Sequence, residues 1–160
     1  MSGFIYLASP YSDLDPTVRE ERFVRAAKTA SYCFQYGIAV YSPIAHWHPI
    51  AKIRDIPTDA ASHQKQNDIF MTASVGIAVL CLPGWQKSLG VQYEIKWASE
   101  AGLPYVFVRN GWEIVNHAKE VWGLDHSVHG LREKLGSANE AALLDSDQHN
   151  SGGATPEGLD

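Results

Sequence analysis

Short apolar runs alternate with stretches of helical periodicity along the 160-residue chain. Phe4-Ile5-Tyr6-Leu7-Ala8 is apolar throughout and is broken by Ser9-Pro10, which predicts a buried strand. Asp15 followed by Pro16 sets an N-cap ahead of a first-turn proline. From there Val18, Phe23, Ala26, Ala27, Ala30 and Phe34 keep a helical period until Gly37 stops it. Ile38-Ala39-Val40-Tyr41 reads as a second strand ended by Ser42-Pro43, and the run IAHWHP at 44–49 reads as a loop. A helix is expected at 60–72, a third strand at 75–82 and a turn at Pro83-Gly84-Trp85. Ser88 then caps a helix over 89–101 that closes at Gly102, and a fourth strand follows at 103–108. Helical segments at 113–122 and 128–135 complete the pattern.

Alternation of this kind predicts an α/β protein with a Rossmann-like (flavodoxin-like) parallel sheet of four to five strands flanked by helices. The third strand is apolar on both faces, as expected for a strand covered on each side. Ligands of such sheets bind at the carboxyl ends of the strands. That rule singles out segments 9–13, 42–49 and 83–90, and it makes Ser9 and Pro10 candidate binding residues. From Gly136 the chain turns polar and Gly-rich without a period, so the domain is expected over 1–135 and a mobile tail over 136–160.

Composition narrows the partners. With 13 Lys+Arg against 18 Asp+Glu the net charge is -5, and no basic block is present, which argues against nucleic acid as a partner. A small anion, needing only a few donors in one pocket, stays open. The amino-terminal MSGFIYLASPYSD lacks the basic and long apolar regions of a signal peptide. No run approaches the roughly 20 apolar residues of a membrane span. A cytoplasmic chain without a membrane partner is therefore expected. Cys33 and Cys81 sit in apolar surroundings and read as buried reduced thiols. No C-x-x-C or comparable ligand spacing is present, so neither metal nor cofactor is expected.

The segment Ser88-Leu89-Gly90-Val91-Gln92-Tyr93-Glu94 carries the most chemistry. A hydroxyl and a glycine open a helix there, where free N–H groups and the positive dipole end favour an anion. Helical spacing puts Glu94 on the face of Gly90, which has no side chain to block an approach. Two readings compete: a carboxylate able to attack a sugar carbon, or a solvated helix glutamate. Asp68 by itself reads as a surface carboxylate, and Tyr6 as a core tyrosine with a satisfied hydroxyl. His46 and His48 flank Trp47, an aromatic and imidazole set suited to a flat base. Arg19, Arg22 and Arg25 follow the first loop, where one could reach a phosphate.

Taken together, Ile5-Tyr6-Leu7-Ala8-Ser9-Pro10-Tyr11, the Asn67-Asp68 pair and the Ser88-to-Glu94 run resemble the nucleoside 2-deoxyribosyltransferase superfamily over about residues 3–110. That superfamily includes the 2'-deoxynucleoside 5'-phosphate N-hydrolases. YLASPYS and SPIAHWHP look closest to a little-characterised bacterial and phage branch. The resemblance implies Glu94 as the nucleophile on the anomeric carbon, Asp68 as the group assisting at the base and Tyr6 as the tyrosine that orients the nucleophile. It implies Ser88 at a phosphate site, where the free-nucleoside transferases carry an acidic residue, and His46 in the substrate pocket. It further implies a small-molecule nucleotide or nucleoside as ligand and a homodimer or larger homo-oligomer. Two departures stand out. The Gly-rich, arginine-bearing loop of the monophosphate hydrolases is replaced by Ser9-Pro10-Tyr11-Ser12-Asp13, leaving Arg19 or Arg22 to fill the phosphate site. Segment 83–87 is longer than in those hydrolases, and offers Lys87 for charge and Trp85 to cover the base. Hydrolysis of a (deoxy)nucleoside monophosphate is the expected activity. Base exchange on free deoxynucleosides and non-catalytic nucleotide sensing are the alternatives.

Overall fold

Four parallel strands in the order β2-β1-β3-β4 form the sheet, in a computed structural model that describes residues 3–54, 56–57 and 60–124. The expected helix at 128–135 and the tail at 136–160 lie outside the described residues. Strand β1 (Ile5–Ala8) pairs with β2 (Val40–Tyr41) on one side and β3 (Gly76–Leu80) on the other, and β4 (Tyr105–Val108) pairs with β3. The strands are shorter than their apolar runs, because the flanking residues leave the ladder before the hydrophobic pattern ends. The architecture is Rossmann-like, as expected, and the chain reverses direction across the sheet at β1 and β3.

Among the described residues five α-helices flank the sheet: α1 (Pro16–Gln35), α2 (Pro43–Arg54), α3 (Ala60–Ala73), α4 (Leu89–Ala101) and α5 (Gly111–Trp122). The two-residue alternation of β1 and β3 divides the core between the faces. Ile5, Leu7, Ala78 and Leu80 pack with Cys33 of α1 and with Ile114, Ala118 and Trp122 of α5. Tyr6, Ala8, Ile77 and Val79 point the other way, against Met71 of α3 and Val91 and Ala98 of α4. All described residues belong to one compact unit.

Local chemistry sets the helix ends. Asp15 accepts a hydrogen bond from the Thr17 N–H at 2.8 Å, and Pro16 opens α1 without losing a bond, since a first-turn N–H has no helical partner. Ser88 caps α4, and Gly102, at φ 66°, lets the chain turn back out of it. Gly76 serves a different need, because a Cβ there would meet the Trp122 ring nitrogen at 2.1 Å and the Pro104 carbonyl at 2.7 Å.

Residues 44–49, expected as a loop, lie inside α2. Two prolines mask the helix in the sequence. Pro43 sits at its first position, where Ser42 Oγ accepts from the Ala45 N–H at 3.2 Å, and Pro49 is accommodated within it. Of the two cysteines, Cys33 is buried but Cys81 is only half-buried, since it lies past the end of β3. Both are free thiols, and burial pushes that of Cys33 up to about 12. Among the described residues no helix is long and apolar enough to cross a membrane.

Candidate functional site

The helical register of α2 decides which of its side chains face inward. Ile44, Trp47, His48 and Ala51 share one stripe at the i, i+3, i+4, i+7 spacing, and all four line a cavity at the carboxyl ends of β1 and β2. Ser9, Tyr11 and Ser12, just past β1, form another wall. His63 and Asn67 of α3 enter one helical turn apart, and the start of α4 contributes Ser88, Gly90 and Glu94. Each predicted ligand segment thus reaches this one cavity.

Glu94 is 7 % exposed, and the Tyr6 hydroxyl donates to its Oε1 at 2.6 Å. Burial pushes the Glu94 carboxyl up to about 8; the Tyr6 hydrogen bond pulls it down, and the charge of Asp68 pushes it further up. Burial also holds the Tyr6 hydroxyl well above its ordinary range, reinforced by the neighbouring carboxylate. The pair therefore consists of a firm phenolic donor and a carboxylate poised to gain or lose its proton near neutrality. Solvated helix glutamates have neither property. Glu94 is therefore not a solvated helix glutamate.

Two lining residues, Ser9 and Asn67, also carry buried polar atoms without partners. Ser9 Oγ and Asn67 Oδ1 are buried and have no hydrogen-bond partner among the described residues. Unpaired buried polar groups are rare, because each one forfeits its bonds to water. Both atoms belong to residues that line the cavity. Trp47 and His63 face each other nearby, with ring centroids 4.9 Å apart.

The remaining candidates are placed less directly. Asp68 is half-buried and accepts a hydrogen bond from the Tyr93 hydroxyl at 2.9 Å, tying α3 to α4, and it is not among the cavity-lining residues. Pro10 is fully buried and is not among the cavity-lining residues. His46 is exposed and packs between Tyr41 and Trp47, so the pocket histidines are His48 and His63. A helix through 43–54 puts positions 46 and 48 on different faces, and the stripe spacing of 44, 47, 48 and 51 was the sequence signal for it. Trp85 packs on Phe107 with centroids 5.0 Å apart instead of covering the cavity. Lys87 is exposed and also outside the lining.

Neither arginine stands free to take a phosphate. Arg22 donates to the carbonyls of Tyr11 and Ser12 at 3.1 and 2.9 Å and to that of Pro83 at 3.3 Å, and it pairs with Asp13. It therefore pins the loop after β1 to the loop after β3. Arg19 donates to the carbonyls of Asp13 and Leu14. Of the groups expected at a phosphate site, Ser88, at the amino-terminal end of α4, lines the cavity. Among the described residues no three His, Cys, Asp or Glu side chains converge as a metal site would require.

A family model described as "Domain of unknown function (DUF1937)" matches residues 3–110. That span holds all four strands, the Tyr6–Glu94 pair and every cavity residue named above. No curated protein matches the chain.

Proposed function

The chain belongs to the DUF1937 family, and for it we propose N-glycosidic bond cleavage: hydrolysis of the base–sugar bond of a (deoxy)nucleoside 5'-monophosphate through a covalent glutamyl-sugar intermediate. The observation that carries this reading is the buried Glu94 carboxylate, held by Tyr6 at the edge of a cavity that also contains Ser88 and Gly90. Ionised Glu94 attacks the anomeric carbon while the bond to the base breaks, and water then hydrolyses the ester, the two-step logic of retaining glycosidases. Tyr6 aims the attacking oxygen. Ser88 and the start of α4 receive the 5'-phosphate, while Trp47 and His63 offer flat rings to the base. Asp68, bound by Tyr93 outside the cavity lining, supports the base side indirectly, by tying α3 to α4.

One observation favours a second reading. With Arg19 and Arg22 both committed to backbone carbonyls, the phosphate site lacks a free guanidinium. A deoxyribosyltransferase acting on free deoxynucleosides needs none. In either reading the chain works in the cytoplasm as a homodimer or larger assembly, for which exposed Leu89 and Ile69 on α4 and α3 offer apolar surface.

Incubation with each deoxynucleoside 5'-monophosphate, free deoxynucleoside and ribonucleotide, with released base separated by chromatography, tests the proposal. Base freed from a monophosphate, and not by Glu94→Gln, is the expected result. Exchange confined to free nucleosides plus an acceptor base moves the activity to the transferase. Binding without turnover across the panel rejects both and leaves a nucleotide sensor. Sedimentation of the same preparation as a monomer would remove the oligomer from the proposal.

A further inference from the structure

The α2 wall of the cavity holds a second connected set of groups that the reaction above does not use. His48 is buried and stacks flat on Phe23, with centroids 4.3 Å apart and planes inclined by 12°. Both its ring nitrogens are engaged: Nδ1 lies 2.7 Å from the Tyr11 hydroxyl and Nε2 lies 3.0 Å from Glu20 Oε2. Lys52 also donates to Glu20 and holds its carboxyl below the ordinary carboxylate range. With Glu20 ionised, Nε2 carries the ring hydrogen and Nδ1 accepts from the Tyr11 O–H. Tyr11 and His48 line the cavity, and they also line an open cleft on their other side together with Arg19, Glu20 and Lys52. The two rings form a partition, and Glu20, its side chain 44 % exposed, stands on the solvent side.

Hydrolysis of a glycosyl ester leaves one proton without a destination. Water must lose it as its oxygen attacks. Glu94 is then the leaving group, and Asp68 is engaged by Tyr93 away from the cavity lining. The geometry points to Tyr11, backed by His48 and Glu20, as the group that takes this proton, an inference that rests on the hydrolase reading. The water oxygen bonds to the anomeric carbon while the carbon–Oε bond breaks, and its electron pair returns to the Glu94 carboxylate. The water proton passes to Tyr11 Oη as the Tyr11 proton passes to His48 Nδ1, and the resulting imidazolium faces Glu20. Release to solvent follows through the outer cleft. Burial keeps the Tyr11 hydroxyl above its ordinary range, opposed by Arg19 and Lys52 and aided by Glu20. It therefore relays a proton as a neutral hydroxyl and does not act as a standing phenolate. Tyr11 is the catalytic residue in this step; His48 and Glu20 act through it as positioning residues.

Kinetics separate this role from a structural one. A base acting only in the second step contributes about 10²–10⁴-fold to that step and leaves the first unchanged. Tyr11→Phe and His48→Gln are expected to lower kcat by at least about 10²-fold and KM in proportion, leaving kcat/KM within about threefold of the wild-type value. A burst of one base per site and a sugar-phosphate adduct on Glu94, read by intact-protein mass, accompany that change. Glu20→Gln gives the same pattern more weakly. Unfolding midpoints of the three variants check their fold independently. Unchanged kcat in Tyr11→Phe or in His48→Gln overturns the relay but not the hydrolase, and so does a parallel fall of kcat and kcat/KM without an adduct. Absence of base release by the wild-type protein across the nucleotide panel overturns both.

Discussion

Glu94 meets the Tyr6 hydroxyl at 2.6 Å in surroundings that otherwise strip it of water, and this decides its behaviour with pH. Its carboxyl titrates at about 8 in the folded protein against an ordinary value of 4.5. Between those limits the unfolded chain has released the proton while the folded chain keeps it, so stability is complete below about 4.5 and falls as pH rises to 8. At about 1.4 kcal/mol for each pH unit, the loss is on the order of 3 kcal/mol by pH 7. Glu94→Gln keeps an acceptor for Tyr6 but carries no charge. It is expected to be inactive and yet flatter in stability between pH 5 and pH 8 than the wild-type protein, measured by denaturant unfolding at the two values. Equal slopes would mean that Glu94 is not the buried titrating group. In the proposed reaction only the ionised carboxylate attacks, so turnover would follow the opposite sense and should rise with pH up to about 8. Tyr6→Phe removes the one contact that pulls the carboxyl down, so the rise should move to higher pH.

Helix α4 joins stability to ligand choice at its first turn. Ser88 Oγ accepts from the Val91 N–H at 3.4 Å, and the same helix end faces the cavity. Replacement of Ser88 by Asp preserves a good cap and sets a negative charge against the positive dipole end, a gain of about 0.3–1 kcal/mol. The same charge repels a 5'-phosphate. Ser88→Asp should therefore keep or raise the unfolding midpoint while lowering kcat/KM for a monophosphate at least about tenfold relative to the free nucleoside. An unaltered preference would place the phosphate elsewhere. Helices such as α4 and α1 are legible in the sequence because their signals are local: Asp15-Pro16 and Ser88 at the starts, Gly102 at an end. Helix α2 is hidden because its own residues argue against it, two prolines and a His-Trp-His run, and because Ser42-Pro43 is equally a strand-ending signal and a cap with a first-turn proline. The loop reading leaves His46 and His48 equivalent, whereas the helix turns His48 into the cavity and His46 out of it.

Across the whole molecule the site depends on pairings that no local window contains. Tyr6 and Glu94 are 88 residues apart, and they meet because the register of β1 beside β3 turns Tyr6 toward the α3–α4 face. The alternation of strand and helix announces such a sheet, and its carboxyl edge as the binding edge. Which side chains converge there follows only from register and helix rotation. Residue patterns therefore reached Ser88, Gly90 and, without choosing it over His46, His48, but gave Tyr11 and His63 no role. The sheet also separates two cores with different duties. Ile114, fully buried with α1 and α5, belongs to the face away from Tyr6, whereas Met71 is packed in the cluster that contains Tyr6. Truncation of either to alanine should cost about 2–5 kcal/mol of folding stability. A bound nucleotide adds stability that grows with its concentration over its dissociation constant. Ile114→Ala should retain the full nucleotide-induced gain, measured as the difference in unfolding free energy with and without a saturating deoxynucleoside monophosphate. Met71→Ala loosens the packing under Tyr6 and should lose much of that gain. Equal gains in the two variants would show that the α3–α4 core does not support the site, and a loss confined to Ile114→Ala would place the ligand on the other face of the sheet.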